Sequence, residues 1–206
     1  MKNRQKAPLR LNDMALDPVK QFRRWLQDAE QANLPQPNAM MLATSSRQSR
    51  PAARIVLLRG VDDRGFVFFT NYESRKAQDL RESPFAALVF FWAQLSRQVR
   101  VEGRVETLEA VDSDRYFSNR PRGHQLEAHA SPQSEVIKDR TVLEKTFEDV
   151  KREFLGAEVP RPLHWGGYRV VPDSLEFWQE GENRLHDRIR YRRNDTGPWK
   201  IERLAP

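Results

Sequence analysis

Short β-strand patterns, each followed closely by a turn, are the feature of this sequence that most limits its fold. In the clearest of them, residues 98–106, Val99, Val101, Gly103 and Val105 alternate with charged side chains. Such alternation is typical of a strand with one face in a core and the other in solvent. Strands are also predicted at residues 39–44, 53–59, 65–70, 85–92, 168–171, 175–179, 184–192 and 199–204. Neighbouring strands joined by turns, among them residues 194–197, favour an antiparallel barrel.

Helical patterns lie between these strands. Asp17 and Pro18 form a helix start, with Asp17 as N-cap, and apolar residues follow at helical spacing as far as Asn33. Further helices are predicted at residues 75–82, 108–119 and 140–155. We therefore predict a mainly β protein with helical decoration, in which residues 17–206 form one domain and residues 1–16 form a mobile N-terminal arm.

Several classes of protein and site are excluded by what the sequence lacks. The 206 residues contain no Cys, so no disulfide, thiolate metal site or cysteine nucleophile is expected. The four His show no metal-binding spacing, and no Rossmann, P-loop or GxSxG motif occurs. The longest apolar run, residues 85–93, is far shorter than the roughly 20 residues of a membrane helix. With no signal-peptide pattern, a cytoplasmic protein without metal or membrane contact is expected.

Arginine dominates the positive charge of this chain. The net charge is +6, and 27 of the 35 basic residues are Arg. The guanidinium group binds phosphate and carboxylate through two parallel hydrogen bonds, whereas an ammonium group is a point charge. The excess has two explanations, codon usage in a GC-rich genome or an anionic partner. Such a partner would be a nucleic acid or a phosphorylated small molecule.

The basic residues gather in four short clusters. Arg54 and Arg59 stand five residues apart on the predicted strand 53–59, so their side chains point to opposite faces. This apolar strand is expected in the middle of a sheet, with an edge position as the alternative. Residues 70–76 join a strand to a helix start at Ser74, where backbone N–H groups and two adjacent cations favour an anion.

The other two clusters lie later in the chain. Residues 116–122 end a helix in an Arg-Pro-Arg turn, which suits either a solvated loop or a binding site. Alternation along the predicted strand 184–192 puts five potential cations on one face: Arg184, His186, Arg188, Arg190 and Arg192. Such a row requires a bound anion or acidic neighbours, because like charges repel. Asp187, on the opposite face, requires a partner of its own.

Seven stretches of the chain match one family of flavoenzymes. They are RIVLLR (54–59), FFTNYESRKAQDL (68–80), RQVRVEG (97–103), RYFSNRPR (115–122), WGGYRV (165–170), EFWQEGENRLHDR (176–188) and WKIERLAP (199–206). In this combination the sequence resembles the pyridoxine/pyridoxamine 5′-phosphate oxidase family. The resemblance implies an antiparallel split β-barrel and a homodimer that binds FMN non-covalently at the subunit interface.

The resemblance also implies an activity and a set of site residues. The activity is oxidation of pyridoxamine or pyridoxine 5′-phosphate to pyridoxal 5′-phosphate, with hydride transfer from C4′ to flavin N5 and reoxidation by O₂ to give H₂O₂. The implied FMN contacts are Arg54, Ile55, Val56, Leu57, Phe69, Thr70, Arg75, Lys76, Gln98, Gln133, Ser134, Trp178 and Arg188. The implied substrate contacts are Arg59, Tyr116, Arg120, His124, Arg184 and His186, of which Arg184 and His186 orient the reacting end and are the expected catalytic residues.

The chain departs from the family pattern at a few positions. Arg59 stands where the family usually has Lys, His124 where it has Ser, and Phe69 where it has Tyr. The N-terminal arm also lacks an Arg-x-x-Tyr element that closes over substrate in some members. Two alternatives therefore stay open: a related flavin oxidase of the phenazine pathway, and a non-enzymatic flavin-binding or nucleic-acid-binding protein. No nucleic-acid motif accompanies the basic clusters, so a nucleic-acid partner is not expected.

Overall fold

A curled antiparallel sheet of nine strands forms the body of the molecule in the computed structural model, which describes residues 7–194 and 197–206. The strands are β1 (Ala39–Ser45), β2 (Pro51–Leu57), β3 (Gly60–Asp62), β4 (Gly65–Asn71), β5 (Phe85–Trp92), β6 (Arg97–Thr107), β7 (Trp165–Gln179), β8 (Asp187–Arg192) and β9 (Lys200–Leu204). The helices are α1 (Pro18–Gln31), α2 (Arg75–Glu82), α3 (Ala110–Ser118), α4 (Arg122–Ala130) and α5 (Arg140–Glu153). The mainly β fold with peripheral helices is confirmed.

The sheet curls because its two ends are joined by a very short piece of chain. The strand order is β2-β1-β5-β6-β7-β4-β3, with β8 and β9 continuing from β7. Only Leu58 and Arg59 separate the outermost strands β2 and β3 along the chain. The Arg59 backbone N–H donates to the Val67 carbonyl of β4 at 2.8 Å, which holds this corner against the sheet. The result is a partly closed barrel whose β2 edge is left unpaired within the described chain.

The barrel interior is an aromatic and aliphatic core covered by α1. Asp17 caps this helix, as predicted, by accepting from the Val19 backbone N–H at 2.8 Å. On its inner face, Phe22 packs edge-on against Phe66 and Trp25 packs edge-on against Phe177. A second, smaller core lies between α3, α4 and β7; its buried members are Phe117, Leu126, Ala128, Val159 and Trp165. This second core fixes the helices that border the cleft described below.

Three sequence predictions about strands are corrected by the structure. Residues 168–171 and 175–179 belong to one 15-residue strand, because Asp173 forms a bulge in β7 opposite Glu102 and Gly103 of β6 and the pairing continues on both sides of it. The strand predicted from Arg184 begins at Asp187, since Asn183 and Arg184 have φ values of 52° and 64°, outside the strand region. The strand predicted at residues 53–59 is β2, and it lies at an edge rather than in the middle.

Two short elements were not predicted. Strand β3 has three residues, too few for a period to appear in the sequence. Helix α4 follows Pro121, and its sequence, RGHQLEAHA, has a weak apolar pattern with Gly123 in the first turn. The sequence therefore indicated only a turn there.

The N-terminal segment that was predicted to be mobile has contacts with the sheet in its described part. Residues 1–6 of the predicted arm, and residues 195 and 196 of the predicted turn, lie outside the described residues. The Leu9 backbone N–H donates to Asp187 at 2.9 Å, and the Tyr191 hydroxyl donates to the Ala15 carbonyl at 2.7 Å. Met14 is buried in the main core. The mobility of the arm stays a prediction.

A close backbone approach between β6 and β7 gives a test of this fold. A Cβ atom at Gly103 would lie 2.1 Å from the Val171 carbonyl oxygen, so Gly103→Ala must push β6 and β7 apart. We expect it to lower the free energy of unfolding by about 2 kcal/mol or more. In Gly60→Ala the nearest atom to the new Cβ is 3.7 Å away, and the loss should stay within about 0.5 kcal/mol. Urea denaturation measures the free energy of unfolding of both variants. Equal values would contradict the close approach of β6 to β7 at Gly103.

Candidate functional site

A cleft of about 590 Å³ opens where the ends of β2 and β4 meet α2, α3 and α4. It brings together many of the residues expected to bind FMN or substrate. They are Ile55, Val56, Leu57, Arg59, Phe69, Thr70, Lys76, Tyr116, Arg120, His124 and Gln133. These residues come from three of the matching stretches, from α4 and from the segment after α4, so the fold assembles a single cavity from distant parts of the sequence.

Lys76 is the best-defined cation of this cleft. Its ammonium group donates to Thr70 Oγ1 at 3.0 Å, to Ser74 Oγ at 3.1 Å and to Gln133 Oε1 at 2.5 Å. All three acceptors are neutral, and burial together with repulsion from Arg54 lowers the Lys76 pKa to about 8. A half-buried ammonium without a carboxylate partner among the described residues is suited to receive an anion.

Other residues of the expected flavin site do not line this cleft. The Arg54 side chain extends from β2 toward β1 and α2. It donates to Thr44 Oγ1 at 2.7 Å and lies 3.8 Å from the buried Asp79 carboxylate. Arg75 is exposed in the first turn of α2, close enough to Arg54 to lower its pKa, although burial is the larger cause. Ser134, next to Gln133, has a φ of 77°, a left-handed backbone conformation.

Aromatic rings form one wall of the cleft. Phe69 stacks on Tyr116 with centroids 3.8 Å apart, and Trp165 lies nearly parallel at 5.5 Å from Phe69. The Arg120 guanidinium lies over the Trp165 ring at 4.4 Å from its centroid. Its buried Nη1 has no hydrogen-bond partner among the described residues, and burial lowers the Arg120 pKa. An unpartnered guanidinium N–H in a basic cleft points to an anionic ligand.

A second group of expected residues lies on a different part of the sheet. Gln98 on β6 pairs with Trp178 on β7, which pairs in turn with Arg188 on β8, so the three share one outward face. The His186 ring lies 4.8 Å from the Trp178 ring. The strand order puts β1 and β5 between β2 and β6, which separates the two groups by about 14 Å across the sheet.

The row of cations on β8 is neutralised within the chain. Arg188 donates to both oxygens of Glu176, at 2.8 and 3.1 Å, and Arg190 and Arg192 both donate to Glu202. Glu176 raises the pKa of Arg188, and hydrogen bonds from Lys200 and Arg190 hold the pKa of Glu202 at about 2. Of the two explanations that the sequence left open for this row, acidic neighbours therefore account for three of its five members.

Four further residues line the cleft without having been expected there: Asn119, Pro121, Glu127 and Trp165. Glu127 lies one helical turn after His124 on α4, with a carboxylate oxygen 3.8 Å from Arg120 Nη2. Since α4 itself was not predicted, the spacing of these two side chains carried no signal in the sequence. Trp165 lies within a matching stretch, but an aromatic residue in a predicted strand is typical of a core. The sequence therefore gave no reason to expect this residue in a site.

Comparison with known families decides the classification. Residues 26–153 match the family described as pyridoxamine 5′-phosphate oxidase, and residues 165–206 match the pyridoxine 5′-phosphate oxidase C-terminal dimerisation region. This chain belongs to the pyridoxamine 5′-phosphate oxidase family. The resemblance drawn from the seven stretches is confirmed.

Curated relatives match along nearly their whole length. The pyridoxine/pyridoxamine 5′-phosphate oxidase of Salinibacter ruber is 56% identical over 203 residues, which cover 98% of this chain and 94% of the relative. The protein of the same name from Burkholderia multivorans is 56% identical over 206 residues, covering 99% and 96%.

Solved structures confirm the split-barrel fold. PhzG from Burkholderia lata, solved in complex with tetrahydrophenazine-1-carboxylic acid, is 32% identical with a TM-score of 0.89, covering 95% of each chain. An FMN-binding protein from Nostoc punctiforme, related to pyridoxamine 5′-phosphate oxidase, is 20% identical with a TM-score of 0.72, covering 90% of this chain and 97% of that one. The second likeness concerns the fold alone.

The described residues contain neither a membrane-spanning helix nor a metal-binding cluster. No helix is both long and apolar enough to cross a membrane. No group of three or more His, Asp or Glu side chains in this part of the chain is placed to hold a metal ion.

Glu127 provides a test of the charge balance in the cleft. Its carboxylate lies beside Arg120 and repels any phosphate that approaches the same guanidinium, so Glu127→Gln should bind inorganic phosphate more tightly. Because about half of this side chain is exposed, we expect a gain of only about two- to fivefold. Calorimetric titration measures it, with Glu153→Gln, an exposed position at the end of α5, as the control. Unchanged or weaker binding in Glu127→Gln would show that phosphate does not approach Arg120.

Proposed function

We propose that this chain is an FMN-dependent oxidase that converts pyridoxamine and pyridoxine 5′-phosphates to pyridoxal 5′-phosphate. The observation that carries the proposal is the cleft itself. It joins Lys76, Arg59 and Arg120 with a wall of parallel aromatic rings, a combination suited to flat, phosphorylated ligands. The curated relatives at about 56% identity carry the name of this activity.

FMN is the cofactor, and the chain has residues suited to hold it. Lys76, Thr70 and Gln133 form a polar cluster with an ammonium group that lacks a carboxylate partner among the described residues, which fits a phosphate monoester. Arg54 and Arg75 add positive charge near the start of α2. Bound by these residues, FMN would supply an acceptor for the hydride that leaves the substrate C4′ carbon, and O₂ would take up the electrons to give H₂O₂. The protein supplies binding, orientation and electrostatic stabilisation.

The substrate is proposed to lie against the other side of the same cleft. Arg59, Arg120 and His124 would hold its phosphate, and the Tyr116 hydroxyl would add a hydrogen bond. Arg184 and His186 would contact the reacting end, His186 from its place beside Trp178. Catalysis in this scheme comes from positioning two flat ring systems and from fixed charges around them.

The chain forms a homodimer, and its geometry gives the dimer a role in the site. The outward face that carries Gln98, Trp178 and Arg188 continues through exposed Phe91, Met41 and Ile55 toward the cleft. Covering this apolar stretch with a second copy would remove it from water. In a symmetric pair, the second group of one chain would then complete the cleft of the other.

A second candidate is an oxidase of the PhzG type. The likeness to PhzG at 32% identity and a TM-score of 0.89 favours it as the alternative. Glu127, an acidic side chain at the proposed phosphate pocket, is the feature of this cleft that suits a doubly charged phosphate least. The identity of about 56% to the pyridoxine/pyridoxamine 5′-phosphate oxidases favours the vitamin substrate.

Anaerobic absorption spectroscopy tests the proposed function. The FMN-loaded protein is mixed without oxygen with pyridoxamine 5′-phosphate, pyridoxine 5′-phosphate or a reduced phenazine carboxylate. We expect the two phosphates to bleach the flavin band as pyridoxal 5′-phosphate forms, and O₂ to restore the band with formation of H₂O₂. Bleaching by the phenazine compound alone would establish the alternative, and bleaching by none of them would indicate a non-enzymatic flavin-binding protein.

The low pKa of Lys76 predicts how FMN affinity depends on pH. The ammonium form attracts the FMN phosphate, and a fraction of it is lost as pH rises through about 8. Because a phosphate monoester is already doubly charged above pH of about 7, only the lysine should change charge in this range. FMN affinity should therefore fall about tenfold between pH of about 7 and about 9.

Lys76→Arg is the matched control, since a guanidinium stays protonated over this range. Its FMN dissociation constant, measured by quenching of flavin fluorescence, should change little with pH. An equal fall in affinity in both proteins would show that Lys76 is not the titrating group.

A further inference from the structure

Residues 181–187 form a short loop between β7 and β8 that holds the expected catalytic residue His186. The Gly181 backbone N–H donates to His186 Nδ1 at 3.2 Å. A ring nitrogen that accepts a hydrogen bond has a free lone pair and carries no proton. In the neutral imidazole the proton is then on Nε2, so the backbone of this loop selects one of the two tautomers.

Glycine is the residue type that permits this contact at position 181 without strain. A Cβ atom at this position would lie 2.0 Å from the Leu185 carbonyl oxygen and 3.3 Å from the His186 Cα. Any side chain would push the two strands of the loop apart and draw the Gly181 N–H away from the ring. The close backbone approach and the hydrogen bond to Nδ1 are therefore coupled.

The other end of the loop is clamped by Asp187. Its carboxylate accepts from the Leu9 backbone N–H at 2.9 Å and from Arg203 at 2.5 Å, and Arg203 also donates to the Leu9 carbonyl. Asp187 is mostly buried, with 14% of its side chain exposed. This answers the sequence-based expectation that Asp187 needs a partner, and it ties the residue next to His186 to the N-terminal segment and to β9.

The loop also contains two residues in an unfavourable backbone conformation. Asn183 and Arg184 both have positive φ values, a left-handed conformation that is unfavourable for non-glycine residues. Such conformations persist where the surroundings hold them, and here the Gly181 and Asp187 contacts do so. Together they hold the His186 ring beside Trp178, with the centroids 4.8 Å apart.

We propose that His186 acts as a neutral hydrogen-bond donor through Nε2, and that Gly181 and Asp187 are the positioning residues that hold it in this form. Its role toward substrate rests on the proposed function, whereas the tautomer does not. With Nε2 protonated and Nδ1 engaged by the backbone, His186 has no lone pair to accept a proton. It can donate only to a substrate oxygen or nitrogen that has a lone pair. The group that accepts a proton in the reaction is therefore not His186.

Nitrogen-15 NMR of the imidazole rings tests the tautomer directly. The FMN-loaded protein with labelled histidine is measured at pH of about 8, above the ordinary imidazole pKa of about 6.5. His186→Gln assigns the signals of His186 by difference. We expect a pyridine-like shift for Nδ1 and a pyrrole-like shift for Nε2. The reverse assignment, or two averaged shifts, would overturn the proposal whether or not the protein is an oxidase.

Gly181→Ala tests the cause of the tautomer. Loss of the backbone hydrogen bond should move the two His186 shifts toward each other, and kcat/KM should fall about tenfold, as expected for one hydrogen bond. FMN affinity should stay within about twofold. Gly60→Ala, whose new Cβ has only an ordinary contact at 3.7 Å, should leave the His186 shifts unchanged. Unaltered shifts in a folded Gly181→Ala protein would contradict the role of Gly181; if that variant does not fold, the wild-type spectrum decides.

Asp187→Asn tests the clamp in the same way. It keeps the size of the side chain but loses the ion pair to Arg203, so kcat/KM should fall while FMN affinity and the His186 tautomer persist. Asp63→Asn, at an exposed turn, is the control and should match the wild type. Equal kcat/KM in Asp187→Asn and wild type would show that the clamp does not position His186.

Discussion

An apolar outward face lies beside the β2 edge, which is unpaired within the described chain, and this surface determines how the two parts of the expected site can meet. The barrel is closed at its corner by Leu58 and Arg59, yet Ile55, Met41 and Phe91 remain exposed on the outer surface, at 63%, 43% and 62%. This face separates the cleft residues from Gln98, Trp178 and Arg188 on the same sheet. One chain therefore contains both parts of the expected flavin site without bringing them together, and in the proposed dimer a second copy on this face would bury the apolar stretch and supply the missing part.

The two groups of expected site residues also differ in how their positive charges are paired. On β7 to β9, Glu176 and Glu202 neutralise the arginines in place, which makes that row part of the architecture. In the cleft, Lys76 is held by neutral acceptors and Arg120 has a buried N–H without a partner among the described residues. Lys76 has no carboxylate partner in the described part of the chain, and Arg120 has only that of Glu127 at 3.8 Å. Burying cations with so little compensation costs free energy, which a phosphate ligand would offset. The ligand site therefore differs from the rest of this arginine-rich surface in how little of its positive charge is balanced by carboxylates. The number of positive charges does not distinguish it.

Much of the fold could be predicted from periodicity, whereas the arrangement of the site could not. The alternation of Val99, Val101 and Val105 identified β6, and Asp17 with Pro18 marked the start of α1. The edge position of β2 was kept only as the alternative, because an apolar strand in the middle of a sheet and an apolar strand at its edge have similar sequences. Helix α4, and with it Glu127, was missed because Gly123 and a weak apolar pattern hid it. The positive φ of Arg184 has no signature in sequence, since non-glycine residues adopt it only when tertiary contacts hold them.

Mixing two variants, each impaired in one part of the expected site, measures whether two chains share each site. Lys76→Met removes a cation from the cleft, and Arg184→Ala removes an expected substrate contact from the loop that also holds His186. If the groups of different chains form one site, co-refolded mixtures contain heterodimers with one intact site each. Random pairing then restores about a quarter of the wild-type oxidase activity per chain. Activity no higher than that of the separate variants would show that each site is built from a single chain, and would contradict this account.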